Sequence, residues 1–366
     1  MTPTRRHLLL LLLLCISFLE AKAQDEPQSY QLTLGAYAES FYVYDFNEPE
    51  GGVRQPFFFN HNRHNEFNVN MGLIRVDLDH EKYRAKLAVQ AGTYPQDNYA
   101  AEQDLLKNVF EANVGISLNN KNSLWLDAGI MPSHIGFENP FAMDNPTMTR
   151  SLSAENSPYF LTGVKLTFNP TERLTLAGLV VNGWQRITRV EGNSLPSFGT
   201  QVQYQFSKKV MVNWSTFIGS DFPDAERRMR YFNDLYLQFH WSKFSLTTGF
   251  DIGIQQQEKG SEDYHIWWVP TLIAQYRLHE KWQMAVRGEY FYDEKEVIIS
   301  SISPDGFQTA GLSFNIDYLP SDHIICRLEG RWLQSRDMIF EKENNLRDYN
   351  VFVGTSIAMR IGERLR

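Results

Sequence analysis

Five arginines raise the first chemical question. Arg277, Arg287, Arg327, Arg331 and Arg360 each stand in a segment where polar and apolar residues alternate, and each falls on the polar side. Arg84, Lys86 and Lys165 do the same earlier in the chain. Carboxylates are available at Glu111, Asp127, Asp251, Glu289, Asp317 and Glu329. Fixed charges ranged along one face of a wall can filter ions or orient dipolar solutes. The same residues can also pair across strands and stiffen the wall, each pair contributing about 0.2–1 kcal/mol. A second set, His134, Glu138, Asp144, Arg150 and Glu155, lies within one stretch, 132–158. It is mixed with apolar Ile135, Phe137, Phe141, Met143 and Met148, too many for a segment waving in water.

Catalytic and metal-binding arrangements are weaker. Ser133 and His134 are adjacent, so on a strand they point to opposite faces and make a poor nucleophile–base pair. His61 and His64 sit among asparagines, and the nine histidines show no metal-ligand spacing with cysteine. No P-loop, GxSxG or HExxH motif occurs. The reading is of no metal, no cofactor and no enzyme.

Composition narrows the partners. Thirty-five basic residues against 43 acidic give a net charge of −8, which argues against nucleic acid as a partner. Mean hydropathy of −0.38 is too low for a bundle of membrane helices. Residues 1–23 read as an export signal: Arg5 and Arg6, an apolar run from Leu8 to Leu14, and an Ala21-Lys22-Ala23 cleavage site. Its removal leaves the remainder, 24–366, two charges more acidic and with Cys326 as its one cysteine, so no internal disulfide can form.

The elements that must position the charges are strands. In the last candidate, Val351, Val353, Thr355, Ile357, Met359 and Ile361 share one face, and Asn350, Gly354, Ser356 and Arg360 the other. The pattern recurs in about sixteen segments: near 30–44, 64–78, 82–92, 109–119, 122–131, 159–169, 172–185, 198–207, 209–219, 230–241, 243–255, 265–278, 281–292, 307–318, 322–335 and 348–362. The second segment slips phase between Leu73 and Val76, which we read as a bulge beside Gly72. Connections alternate short and long. The long ones are 45–63, 93–108, 132–158, 186–197, 220–229, 256–264, 293–306 and 336–347. Short turns on one side and long loops on the other predict an all-β, transmembrane up-and-down antiparallel barrel of the outer membrane, with short turns facing the periplasm. Tyr83, Phe168, Phe206, Trp241, Trp282 and Tyr318 sit beside short turns, as an aromatic girdle at the lipid headgroups would. A soluble sandwich would also alternate, but its loops would not alternate so regularly in length.

Several stretches carry a resemblance. Leu124 to Glu138 reads LWLDAGIMPSHIGFE, Leu152 to Phe160 reads LSAENSPYF, and Gly163 to Thr167 reads GVKLT. Further on come NGWQR from Asn182, STFIG from Ser215, RYF from Arg230 and FDIG from Phe250. Together they resemble the OmpL-like β-barrel porin family, also called β-barrel porin-2, of Gram-negative bacteria. The resemblance runs over roughly 30 to 340 and implies an outer-membrane barrel and a pore.

The sequence reading is then a single barrel domain working as a porin, with passive diffusion of small hydrophilic solutes or ions through a water-filled lumen. Loop 132–158 is expected to fold into the lumen, with Glu138, Asp144, Arg150 and Glu155 at the constriction. Arg277, Arg287, Arg327, Arg331, Arg360, Glu111 and Asp127 are expected to charge the wall. Outer-membrane lipid is the surrounding partner, and a homo-oligomer is left open. The alternative is a non-conducting barrel that binds a partner through its long extracellular loops; a third is an outer-membrane enzyme.

Overall fold

The computed structural model describes residues 30–343 and 345–365. The stretch read as an export signal lies outside them. The strands are β1 Gln31–Asp45, β2 Phe67–Asp79, β3 Tyr83–Ala91, β4 Val109–Ser117, β5 Leu124–Pro132 and β6 Phe160–Thr171. They continue as β7 Leu174–Val181, β8 Ser197–Ser207, β9 Val210–Gly219, β10 Arg230–Trp241, β11 Phe244–Gln256 and β12 Tyr264–His279. The last are β13 Trp282–Asp293, β14 Phe307–Ser321, β15 Ile324–Ser335, the small hairpin β16 Phe340–Lys342 and β17 Asn345–Arg347, and β18 Tyr349–Leu365. Two short helices interrupt the long loops, α1 Thr93–Asn98 and α2 Leu152–Glu155.

Each barrel strand pairs antiparallel with its neighbour in sequence. The hairpin β16–β17 stands apart, so β15 pairs with β18, and β18 pairs with β1 from Leu32↔Leu365 up to Asp45↔Phe352. Among the described residues, sixteen strands thereby form a closed barrel. Closure leaves no edge strand, and each backbone group at membrane depth finds its partner on the neighbouring strand.

Alternation fixes which side chains meet lipid. On β15, Leu328 and Trp332 are 49% and 41% exposed, whereas Arg327, Glu329 and Arg331 between them are at most 2% exposed. On β18, Ile357 and Met359 face out while Phe352, Ser356 and Ala358 are buried. The barrel is therefore inside out relative to a soluble protein, with its apolar band outside and its charges inside. Phe168, Phe206, Trp241 and Trp282 stand exposed beside the short turns, and Trp282 packs on Tyr318.

Two details differ from the sequence reading. β7 ends at Val181, and Asn182 turns away to bond Ile187 through its side chain. The phase slip in β2 sits at Asn70, where the register passes from Glu39↔Met71 to Ser40↔Val69. Leu73 misled the reading because it is an apolar residue that points inward, where it joins a buried cluster with Met71 and Tyr37.

The lipid-facing assignment makes a test. Leu328→Arg places a charge on the bilayer side and is expected to cost about 2–4 kcal/mol near the midplane. Unfolding in liposomes measures it. Gln203→Arg, on the polar inward face of β8, is expected to cost far less.

Candidate functional site: the lumen and its third long loop

A barrel of this strand number encloses more space than its own side chains fill. Here the loop between β5 and β6 enters that space. His134 leads it in. Its carbonyl accepts from Ser215 Oγ at 2.7 Å and Gln201 Nε2 at 3.2 Å, and its ring nitrogen Nε2 lies 2.9 Å from the Thr216 carbonyl. That carbonyl can only accept, so Nε2 carries the hydrogen; burial pushes the imidazole down to about 4, and the ring is neutral. Gly136 N–H then donates to Asp234 on β10 at 3.0 Å. Phe141 packs edge-on against Tyr37 with ring centres 4.9 Å apart, and the Ala142 N–H donates to the Tyr37 hydroxyl.

The return limb is gripped by β13, β14 and β15. Arg327 uses all five of its N–H donors. Nε and Nη2 each donate to Asp317 at 2.8 Å, while the remaining donors reach the carbonyls of Ala142, Thr147 and Asn145 at 2.7–2.8 Å. Arg287 donates to the Thr149 carbonyl at 2.7 Å, and Arg331 to that of Arg150 at 3.0 Å. The carboxylates between them take the loop's N–H groups: Glu329 accepts from Thr149 at 2.8 Å and Glu289 from Leu152 at 2.6 Å. Arg287–Glu329 and Arg331–Glu289 both bridge over β14. They can do so because the inward residues of β14 at that level are Gly311, Ser313 and Asn315.

Glycines on the wall make room for the loop. A Cβ on Gly199 would sit 2.7 Å from the His134 ring, and one on Gly354 would sit 2.9 Å from the Met148 methyl. One on Gly249 would overlap Phe137. Neither these glycines nor Asp234 was singled out from sequence. The signal available was a glycine recurring on strands whose other inward residues are large.

The expected constriction residues take different places. Glu138, Arg150 and Glu155 are buried in the packing of the loop rather than facing open space. Arg150 donates to the carbonyls of Asn139, Pro140 and Met148, so it ties the loop to itself. Glu138 accepts from Ser151 N–H, and burial holds its carboxyl above the usual range. Glu155 accepts from Phe59 N–H at 2.8 Å and from Asn60, which fastens the first long loop onto the third. Asp144 alone of the four meets water. It makes a bidentate bridge to Arg360 at 2.6 and 2.9 Å.

The expected wall charges divide likewise. Arg287, Arg327 and Arg331 are buried under the loop, and Glu111 is buried 3.6 Å from Arg75. Asp127 pairs with Arg84, while Arg277 stands exposed near the short-turn end of β12. The lumen thus has two halves. Towards the long loops it is packed with Phe57, Phe58, Phe307, Phe340 and Phe352 on one side and Tyr94, Tyr99, Tyr159 and Phe160 on the other. Towards the short turns it holds water-facing side chains and two cavities of about 440 and 320 Å³, with Arg360 lining both.

An inside-out barrel of this kind defines an integral protein of the outer membrane. The chain belongs to the family described as Putative beta-barrel porin-2, OmpL-like, whose model matches residues 31–361. No curated protein matches in sequence. Solved structures with a similar fold include the outer membrane channel DcaP of Acinetobacter baumannii, 8% identical, with TM-score 0.60 over 92% of this chain and 99% of that one. They also include Salmonella typhi OmpF in complex with daunomycin, 10% identical, with TM-score 0.58 over 92% of this chain and 99% of that one. A trimer form of OmpT from Vibrio cholerae is 6% identical, with TM-score 0.57 over 91% of this chain and 99% of that one. The chain is an outer-membrane porin of the Gram-negative type.

Two measurements check the loop. Arg327→Gln strands Asp317 and frees three loop carbonyls, and is expected to cost about 3–5 kcal/mol in chemical unfolding. Arg327→Met with Asp317→Asn should recover part of that loss, since no charge is then left buried alone. The second concerns Glu155, whose carboxyl burial pushes up to about 7 from an ordinary 4.5. The packed junction therefore holds the proton more firmly than an open one does. Its stability falls as pH rises from about 4.5 to about 7 and is level above that. Hydrogen exchange at the Phe59 and Asn60 amides, corrected for intrinsic rate, should show more protection at about pH 5 than at about pH 8. Glu155→Gln should remove the difference.

Proposed function

We propose that the chain passes small hydrophilic solutes by passive diffusion, with the third loop as the size filter, and that it is a channel rather than an enzyme. The observation that carries this reading is the one-sided hydrogen bonding of the loop. Its hydrogen bonds to the wall go to β1, β8–β10, β13–β15 and β18; among the described residues none goes to β2–β7. On the β2–β7 side the loop makes apolar contact only, with Phe141 on Phe110 of β4, and half-buried Arg75, Asp77, Arg84, Lys86 and Lys165 with buried Asp127 line the half of the lumen that opens at the short turns. Glu138, Arg150 and Glu155 act here by holding the loop's shape, and the Asp144–Arg360 bridge stands between the two cavities as a charged post. Small oligomers fit the reading, since the similar OmpT structure is a trimer form.

A second reading, a barrel that does not conduct, draws on the packed outer half. There α1 and the following Tyr99 cover the β2–β5 side as the phenylalanine cluster covers the other. Single-channel recording of the refolded protein in a planar bilayer separates the two. Discrete ohmic steps are expected, and deletion of 137–150 should raise their conductance severalfold. A folded wild-type barrel that stays silent, with a deletion that conducts, would overturn passive diffusion in favour of a closed barrel.

A further inference from the structure

The inner half of the lumen leaves two lysines outside its ion pairs. Lys86 on β3 is in register with Asp77 on β2, and Lys165 on β6 is in register with Asp127 on β5. Each lysine thus has a carboxylate directly across the strand pair. Neither lysine has a salt bridge or a side-chain hydrogen bond among the described residues. The reason is competition. Asp77 is held by Arg75 through Nε at 2.8 Å and Nη2 at 2.7 Å. Asp127 is held by Arg84 through Nε at 2.7 Å and Nη2 at 2.6 Å. A guanidinium engages a carboxylate with two parallel donors, which a single ammonium cannot match. The second grip also depends on Gly115, which lies between Arg84 and Asp127 on β4; a Cβ there would run into the Asp127 carboxylate.

The rest of the inner lumen follows the same rule. Glu111 lies 3.6 Å from Arg75, and Asp144 is held by Arg360. Arg277 is a further exposed cation without a salt bridge among the described residues. Asp79 and Asp322 stand at the rim, where the strands turn. The carboxylates opposite the two lysines are thus taken by arginines, and the half-exposed lysines keep their donors free.

We propose that Lys86 and Lys165 form an anion-recognising strip that selects small solutes bearing carboxylate or phosphate groups. This rests on the diffusion reading for transport, though not for binding. A lysine suits the task because its ammonium is a compact, hydrated charge on a flexible stem. It attracts an anion without the fork geometry that would hold it, and transport needs binding weak enough for release. The selectivity is electrostatic, so it is stronger at low salt than at molar salt, where the screening length falls to about 3 Å.

Two readouts test this on the refolded full barrel. The first is the reversal potential in a potassium chloride gradient. Wild type is expected to favour chloride, Lys86→Gln with Lys165→Gln to bring the permeability ratio to one or below, and Lys86→Arg with Lys165→Arg to keep the chloride preference. The second is calorimetric titration with citrate and, separately, with inorganic phosphate, which needs no conduction. Binding that the glutamine pair loses and the arginine pair keeps supports the strip, and the two probes tell carboxylate from phosphate preference. No binding to folded wild type, or equal binding to the glutamine pair, overturns it. A barrel that is silent yet binds anions through these lysines overturns the diffusion reading alone.

Discussion

The lumen is organised by a requirement of its backbone. A loop that enters a barrel loses water from its carbonyl and N–H groups, and each one left unpaired costs about 1–3 kcal/mol. The third loop has little regular structure of its own, only a 3-10 turn at Ala142–Asp144 and the single turn of α2. Its partners must come from the wall. Arg287, Arg327 and Arg331 supply donors to its carbonyls, and Glu289, Glu329, Asp234 and Asn315 accept from its N–H groups. The charges on these strands are therefore mutual: each arginine neutralises a carboxylate and, with its spare donors, solvates the loop. Such a network is sound only when complete, because a buried charge without its partner destabilises more than the pair contributes.

This constraint explains the sizes of residues around it. Arginine and glutamate can meet across β14 only if β14 offers small inward residues, and it does at Gly311, Ser313 and Asn315. The loop's own bulky residues need hollows, which Gly199, Gly249 and Gly354 provide. Within the lumen, small wall residues and large loop residues are two sides of one fit. The outward faces of the same strands are free of that requirement and are set by lipid instead.

The barrel was legible because lipid imposes a period of two on every strand and each connection is local. Thirteen residues of alternation in β18, Tyr349 to Ile361, leave little room for another reading. β7 was harder, since Leu179, Val180 and Val181 are adjacent apolar residues of which Leu179 and Val181 are buried and Val180 meets lipid. The site was legible in its residue types and not in its contacts. Arg327 and Lys165 look alike from alternation: both are cations on an inward face. What separates them is whether a loop lies over them, and that is decided by the packing of residues 132–158 against strands far away in sequence. Loop 45–63 entered the lumen unforeseen, although Phe57, Phe58 and Phe59 form an apolar run that water would not favour.

Net charge is a poor guide to what a solute meets inside. The chain carries eight more negative than positive charges overall. Yet Asp77, Asp127 and Asp144 are each neutralised by an arginine at close range, so they contribute little field at the distance of a passing ion. Lys86 and Lys165 do contribute, because the carboxylates opposite them are already engaged by arginines. Selection in such a pore depends on which charge is left over after pairing, and pairing is decided by geometry: the bidentate fork of arginine leaves the lysine facing water. The outer-membrane barrel can in this way be acidic as a molecule and basic along its path.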